Sequence, residues 1–178
     1  VVVRRRGGLY KALYDDTAFY IETEPLSHDW NSSKPFNIAH VMPWKTDKSL
    51  LPGKGPRNGD YVTPSKQRAA NEEVLFYNNR DCITEGSFTN ILYYRNGSWQ
   101  TPSAVLPMVQ GVFRAFLLHK NILREGVLSR FLLNDVEALM LCNAIQGVIP
   151  VHSILGKELM NSKELTEEFI QQLNSTLP

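Results

Sequence analysis

The sequence predicts an α/β or α+β chain built on an antiparallel or mixed sheet, and three observations carry that expectation. Short apolar runs bounded by turn residues recur between Val74 and Thr101. From Gly111 the apolar spacing becomes helical, with Val112, Phe116, Leu117 and Ile122 on one face. The C-terminal stretch Lys157 to Leu177 reads as a surface helix, with Leu159, Leu165, Phe169, Ile170 and Leu173 turned inward.

Taken in order, Val1 to Leu26 reads as two strands around a Gly7–Gly8 turn, with a polar turn at Asp15 to Thr17. The near-alternating run AFYIETEPL suits a half-buried strand that Pro25 ends. After the loop HDWNSSKP comes a strand at Phe36 to Met42. Lys45 to Tyr61, rich in Gly, Pro and Lys, is a loop. Ser65 to Glu73 is a short helix with Pro64 near its first turn. Strand Val74 to Tyr77 leads through the turn NNRD, Asn78 to Asp81, to Glu85 in a tight connection between strands. Asn90 to Tyr94 and Ser98 to Thr101 are strands around a hairpin at Arg95 to Gly97. Beyond the helix at Gly111, Glu125 to Arg130 is a short strand. Leu133 to Ala138 is a helical turn opened by Asn134 or Asp135. Ala138 to Cys142 and Val148 to Ile154 are strands joined through NAIQG. The start, VVVRRRGG, lacks an initiating Met and suggests a strand already under way, so residues upstream are expected.

With 178 residues the chain can bury the core of one fair-sized domain. Lys and Arg number 19 against 18 Asp and Glu, a net charge of +1 that nominates neither nucleic acid nor an acidic membrane surface as a partner. Arg4 to Arg6 reads as a solvated strand end. Cys82 and Cys142 are too few for a disulfide framework, which points to a reducing cytoplasm. No apolar run is long enough to span a bilayer, no signal peptide is visible, and no metal site is expected.

Four places could carry chemistry, each with an ordinary reading beside it. Glu85, followed by the flexible Gly86, is either a solvated loop carboxylate or an anion that keeps a ring nitrogen protonated, as pyridoxal phosphate requires. Lys54, between Gly53 and Gly55, is either an exposed amine or one that forms a Schiff base. Gly111 begins a helix whose first N–H groups suit a phosphate, or it merely precedes an amphipathic helix. NAIQG is an anion-holding turn or simply a turn.

Together these pieces form an ordered set: Lys54 and Tyr61; E-G-x-x-x-N in Glu85, Gly86 and Asn90; Thr101-Pro102; G-V-x-R in Gly111, Val112 and Arg114; and Cys142-Asn143-Ala144 running on to Ile149-Pro150-Val151. From Lys54 to Val151 the set resembles the class IV (fold-type IV) family of pyridoxal-phosphate enzymes. That family includes branched-chain and D-amino-acid aminotransferases and aminodeoxychorismate lyase. LCNAIQGVIPV is more similar to the lyase branch, and GGLY at Gly7 to Tyr10 resembles a hairpin of some bacterial members.

The resemblance implies a mixed, barrel-like sheet with flanking helices. Residues 1–44 would end a small N-terminal domain whose upstream part is missing, and 45–178 would form the large cofactor-binding domain. Lys54 would bind the cofactor aldehyde and move protons, with Lys48 in reserve. Glu85 would pair with the pyridinium nitrogen. Val112 and Phe113 amides would hold the phosphate, Asn143 and Ala144 would add contacts, and Tyr61 and Arg57 would lie near the ring oxygen. The expected activity is release of pyruvate from 4-amino-4-deoxychorismate to give p-aminobenzoate, a folate precursor. The alternatives are an aminotransferase acting on branched-chain or D-amino acids and a non-catalytic domain that retains the fold. A small-molecule amino substrate and a homodimer are implied as well. The chain departs from the family pattern at several places. The family has Arg or Asn one place after Arg57, Pro64 interrupts a longer helix, Gln110 replaces a common Pro, and Phe113 stands where aminotransferases often have Thr.

Overall fold

The computed structural model describes residues 2–8, 11–20, 34–43, 71–160 and 162–176, with side chains from residue 34 onward. Lys48, Lys54, Arg57, Tyr61 and most of the helix expected at Ser65 to Glu73 lie outside the described residues.

Strands β1 (Val2–Gly8) and β2 (Lys11–Tyr20) form an antiparallel ribbon. Asp15 to Thr17, expected as a turn, lie within β2, where Thr17 pairs with Arg5. Cross-strand pairing overrides the turn preference of the two Asp residues. A second, mixed sheet holds β3 (Phe36–Pro43), β4 (Glu72–Tyr77), β5 (Ile83–Gly86), β6 (Asn90–Arg95), β7 (Ser98–Pro102), β8 (Arg124–Gly126), β9 (Ala138–Asn143), β10 (Gly147–Ile154) and β11 (Lys157–Glu158). Its order is β5-β4-β3-β10-β9-β6-β7-β8, with β11 on β10. Pairs β3–β4, β3–β10 and β7–β8 are parallel and the others antiparallel. Helix α1 (Val112–His119) makes the crossover from β7 to its parallel neighbour β8, and α2 (Ser162–Thr176) follows β11.

Several boundaries differ from expectation. Glu72 and Glu73, placed at the end of a helix by their propensity, open β4 because they pair with Asn37 and Ile38 of β3. The strand expected at Glu125 to Arg130 is only Arg124–Gly126. The helical turn lies at Arg130–Asp135, and the Ser129 side chain caps it by accepting the Phe131 N–H, so neither Asn134 nor Asp135 opens it. The C-terminal helix starts at Ser162, since Lys157 and Glu158 pair with β10. In α1 the buried residues are Phe113, Arg114 and Leu117, whereas Val112 is 79% exposed. The inward face is rotated from the one that spacing suggested. The hairpin at Asn96 and Gly97 matches expectation: both have positive φ, 53° and 73°, as the tightest β-hairpin turn demands.

Side-chain alternation builds two cores, one on each face of the sheet. Ile91 and Tyr93 of β6, Leu139 and Leu141 of β9, and Ile149 and Val151 of β10 share one face with Leu75, Ile83 and Leu128. Leu92, Met140, Cys142 and Val148 point the other way and pack under Phe113 and Leu117 of α1 and Phe169 and Leu173 of α2. Burial on both faces explains why ALMLC is continuously apolar rather than alternating. Each such side chain contributes about 1.5–3 kcal/mol.

The sheet curls into a half-barrel whose ends meet. Cys82, just before β5, bridges Ser129, just after β8. Ile83 N–H donates to the Leu128 carbonyl at 2.8 Å and Arg130 N–H to the Asp81 carbonyl at 2.8 Å. The Arg130 guanidinium adds an ion pair to Asp81 at 2.7 Å and lies over the Tyr77 ring. Among the described residues no helix is long and apolar enough to cross a membrane.

Gly126 ends β8 against the side chains of Gln100 and Tyr93. A Cβ there would collide with Gln100 Oε1 and approach the Tyr93 hydroxyl to 2.5 Å. Tyr93 is fully buried and burial pushes its phenol up to about 12, so the hydroxyl stays neutral and has no way out. Gly126→Ala is therefore expected to destabilise the fold by about 1–3 kcal/mol through overpacking. Equilibrium denaturation reads this directly, and an unchanged midpoint would contradict the packing.

Candidate functional site

The antiparallel register brings several chain ends to one rim of the sheet. Asn90, at the start of β6, pairs with Cys142 near the end of β9. Tyr93 pairs with Gln100, so the end of β7 at Pro102 reaches the same rim. Gly86, the last residue of β5, leads to Asn90 through Ser87, Phe88 and Thr89. The turn after β9 and the start of α1 complete the set.

Glu85 does not lie in a connection, as spacing suggested, but inside β5, and it is only 3% exposed. The true connection is 87–89. Glu85 Oε2 accepts the Val109 N–H at 2.9 Å. The carbonyl of the same residue, Val109, accepts the Asn90 side-chain amide at 2.9 Å. One residue's main chain thus ties the first and last residues of the E-G-x-x-x-N motif to the loop entering α1.

The two motif glycines are needed for space rather than for turning. Neither Gly86 nor Gly111 has a positive φ, contrary to the backbone freedom expected at Gly86. A Cβ on Gly86 would meet Thr89 Oγ1 and stand 3.0 Å from Glu73 Oε2, and one on Gly111 would strike the Asn90 side-chain oxygen. Gly111 therefore lets α1 start directly against β6. It has no side chain to cap the helix, and the first turn holds no acidic residue. The partial positive charge of a helix start of this kind favours an anion.

Arg114 of the G-V-x-R motif is 2% exposed and does not face a ligand. Its guanidinium donates to Thr101 Oγ1 at 3.2 Å, Gln110 Oε1 at 2.8 Å, the Pro102 carbonyl at 2.6 Å and Glu125 Oε1 at 2.7 Å. Thr101 in turn donates to the Ile91 carbonyl at 2.8 Å. Arg114 thus locks α1, the end of β7 and β8 together. Gln110, in place of a common Pro, joins this network and also donates to the Ala104 carbonyl at 3.2 Å.

Phe113 is buried with its ring stacked on Phe116, so only its main chain can face the rim. Val112 stands exposed beside it. Asn143 closes its own turn: Oδ1 accepts the N–H groups of Ile145 at 2.9 Å and Gln146 at 2.8 Å. Ala144 and Ile145 are exposed at the tip. Cys142 behind them is inert, its thiol pushed up to about 12 by burial.

The rim therefore gathers Glu85, Asn90, the amide end of α1 at Val112 and Phe113, and the Asn143–Ala144 turn. Lys54, Arg57 and Tyr61 lie outside the described residues. A buried carboxylate and an uncapped helix start on one rim suit a ligand with a cationic ring nitrogen and a phosphate. Sequence reasoning missed Val109, whose contribution is main-chain and leaves no side-chain signal. It also missed Glu73, whose neighbours become visible only once β4 and β5 pair.

A family model described as amino-transferase class IV matches residues 1–154. A Schizosaccharomyces pombe protein provisionally named aminodeoxychorismate lyase is 30% identical over 104 residues, covering 54% of this chain and 45% of that protein. The solved 4-amino-4-deoxychorismate lyase of Pseudomonas aeruginosa superposes with a TM-score of 0.57 at 26% identity, over 66% of this chain and 46% of that one. The Escherichia coli branched-chain amino acid aminotransferase shares the fold, with a TM-score of 0.60 at 20% identity over 77% and 50% of the two chains. The chain thus spans about half the length of these relatives.

The Arg114–Glu125 pair makes a pH prediction. The Arg114 hydrogen bond, with help from the Ala104 N–H and the Ser103 hydroxyl, holds the Glu125 carboxyl below its ordinary 4.5 despite partial desolvation. A depressed folded-state pKa means stability that is present above the unfolded value and lost as pH falls through the folded one. Glu125 is 39% exposed, so screening limits the effect to about 0.5–1 kcal/mol. Glu125→Gln is expected to lower stability at pH 7 by that amount and to flatten the decline below pH 4.5, measured by urea unfolding across pH.

Proposed function

This chain belongs to the class IV aminotransferase family, and from that premise we propose that it binds pyridoxal 5'-phosphate and acts as an aminodeoxychorismate lyase. The reaction releases pyruvate from 4-amino-4-deoxychorismate and leaves p-aminobenzoate. The observation that carries this reading is the buried Glu85 carboxylate, oriented by Val109, on the same rim as the uncapped start of α1. The lyase-named relatives and the LCNAIQGVIPV stretch support this branch over the aminotransferases.

Pyridoxal phosphate, when bound, supplies an electron sink for the substrate carbon that bears the amine. Glu85 holds the proton on the ring nitrogen, and its burial strengthens that pairing. The N–H groups of Val112 and Phe113 orient the phosphate at the helix start. The Asn143–Ala144 turn flanks it from β9. Lys54, between Gly53 and Gly55, would hold the cofactor's aldehyde through Nζ and would serve as general base and acid for the reaction's proton. In this reading Arg57 and Tyr61 would serve the ring oxygen, and Lys48 is the reserve amine. The working unit in this reading is a cytoplasmic homodimer.

Borohydride reduction in the presence of pyridoxal phosphate, followed by peptide mass mapping, is expected to give a stable adduct on Lys54. An adduct on Lys48 would move the amine, and none on a folded chain would leave a fold without its chemistry. Loaded protein supplied with 4-amino-4-deoxychorismate is expected to yield pyruvate and p-aminobenzoate; transamination without pyruvate would assign an aminotransferase. Glu85→Gln should reduce the rate by roughly 100-fold, the scale seen when one electrostatic stabiliser is removed.

A further inference from the structure

We propose that Glu73 is a positioning residue for the site: a second buried carboxylate that anchors the 86–89 connection and, through it, sets the orientation of Glu85. The inference rests on Glu85 as the partner of the ring nitrogen.

Glu73 is the second residue of β4 and is fully buried. A buried carboxylate costs several kcal/mol unless donors surround it. Here they do. Oε1 accepts its neighbour Val74's N–H at 2.8 Å, the Ser87 N–H at 3.1 Å and the Ser87 hydroxyl at 2.5 Å. Oε2 accepts the Thr89 hydroxyl at 3.1 Å. Three of these four donors belong to the connection itself. The Gly86 N–H closes the same stretch by donating to the Thr89 carbonyl at 2.8 Å.

Glu85 is the residue immediately before this clamp. Gly86 pairs with Leu75, two residues after Glu73, and any side chain at Gly86 would press on the Glu73 carboxylate. Glu85 thus stands between a connection that donates to Glu73 through Ser87 and Thr89 and the Val109 N–H that donates to its own carboxylate. Asn90, one residue past Thr89, fixes the Val109 carbonyl. Without Glu73, the connection between Glu85 and Asn90 loses the buried carboxylate that Ser87 and Thr89 donate to, and the two ends of the Val109 bridge are free to shift. Its hydrogen bonds to a charged acceptor are the strong kind, and a small displacement at the site is costly in function.

The test compares wild type with Glu73→Gln and with the double variant Ser87→Ala/Thr89→Val. The double variant removes the two hydroxyl contacts from the connection and leaves the Ser87 N–H bond and the carboxylate in place. Amide hydrogen exchange is measured on the full chain without cofactor, and pyridoxal phosphate is then titrated by absorbance. Both variants are expected to speed exchange at Ser87 and Val109 about tenfold while β6 and β9 keep their protection, and to weaken pyridoxal phosphate binding about tenfold. Unchanged exchange at Val109, or acceleration spread evenly over the sheet, would overturn the proposal. So would the local acceleration with unchanged cofactor affinity. If wild type itself takes up no pyridoxal phosphate, the reading of Glu85 fails instead, and the exchange contrast still decides whether Glu73 holds the Val109–Glu85 bond.

Discussion

The main chain of Val109 is the point on which the site depends. Its N–H is held by Glu85 and its carbonyl by Asn90, so a loop residue with no chemistry of its own couples β5, β6 and the entry to α1. A buried carboxylate without fixed donors would either protonate or turn toward water. Here a peptide N–H, which cannot rotate away, fixes one oxygen.

That coupling works because the surrounding residues leave room for close approach. Gly111 admits the Asn90 amide, and Gly86 admits the Glu73 carboxylate. Arg114 then locks the other side, joining α1 to β7 and β8 through four acceptors, of which Thr101 and Pro102 are buried. Glu125 is the titratable partner among them and is 39% exposed, so that corner of the network answers to pH. The motif residues therefore divide into those proposed to face a ligand and those that hold the rim in shape. Asn90 and Arg114 belong to the second group.

The curl of the sheet serves the same end. Stitching Cys82 and Ile83 to Leu128 and Ser129 brings β5 around to meet the chain leaving β8. Glu85 then stands on the same rim as α1, although β4, β3, β10, β9, β6 and β7 separate β5 from β8 in the order of the sheet. A flat sheet with the same order would hold them far apart, at nearly 5 Å per strand.

Much of this was legible in residue patterns. Period-two runs and the Asn96–Gly97 pair located β6 and β7, because alternation and φ preference are local properties of the chain. The E-G-x-x-x-N and G-V-x-R motifs named Glu85, Asn90 and Arg114. Local pattern misled where a neighbouring strand had the stronger claim, as at Asp15 to Thr17 and at Glu72 and Glu73. It also misled at Glu85, where a carboxylate beside a glycine looks solvated until β4 covers it. Residue order thus determined which side chains exist and which segments favour strand or helix. Only long-range pairing decided which carboxylates are buried, why the glycines must be glycine, and what Arg114 holds. Those outcomes depend on contacts between residues far apart in the chain, and no local preference encodes them.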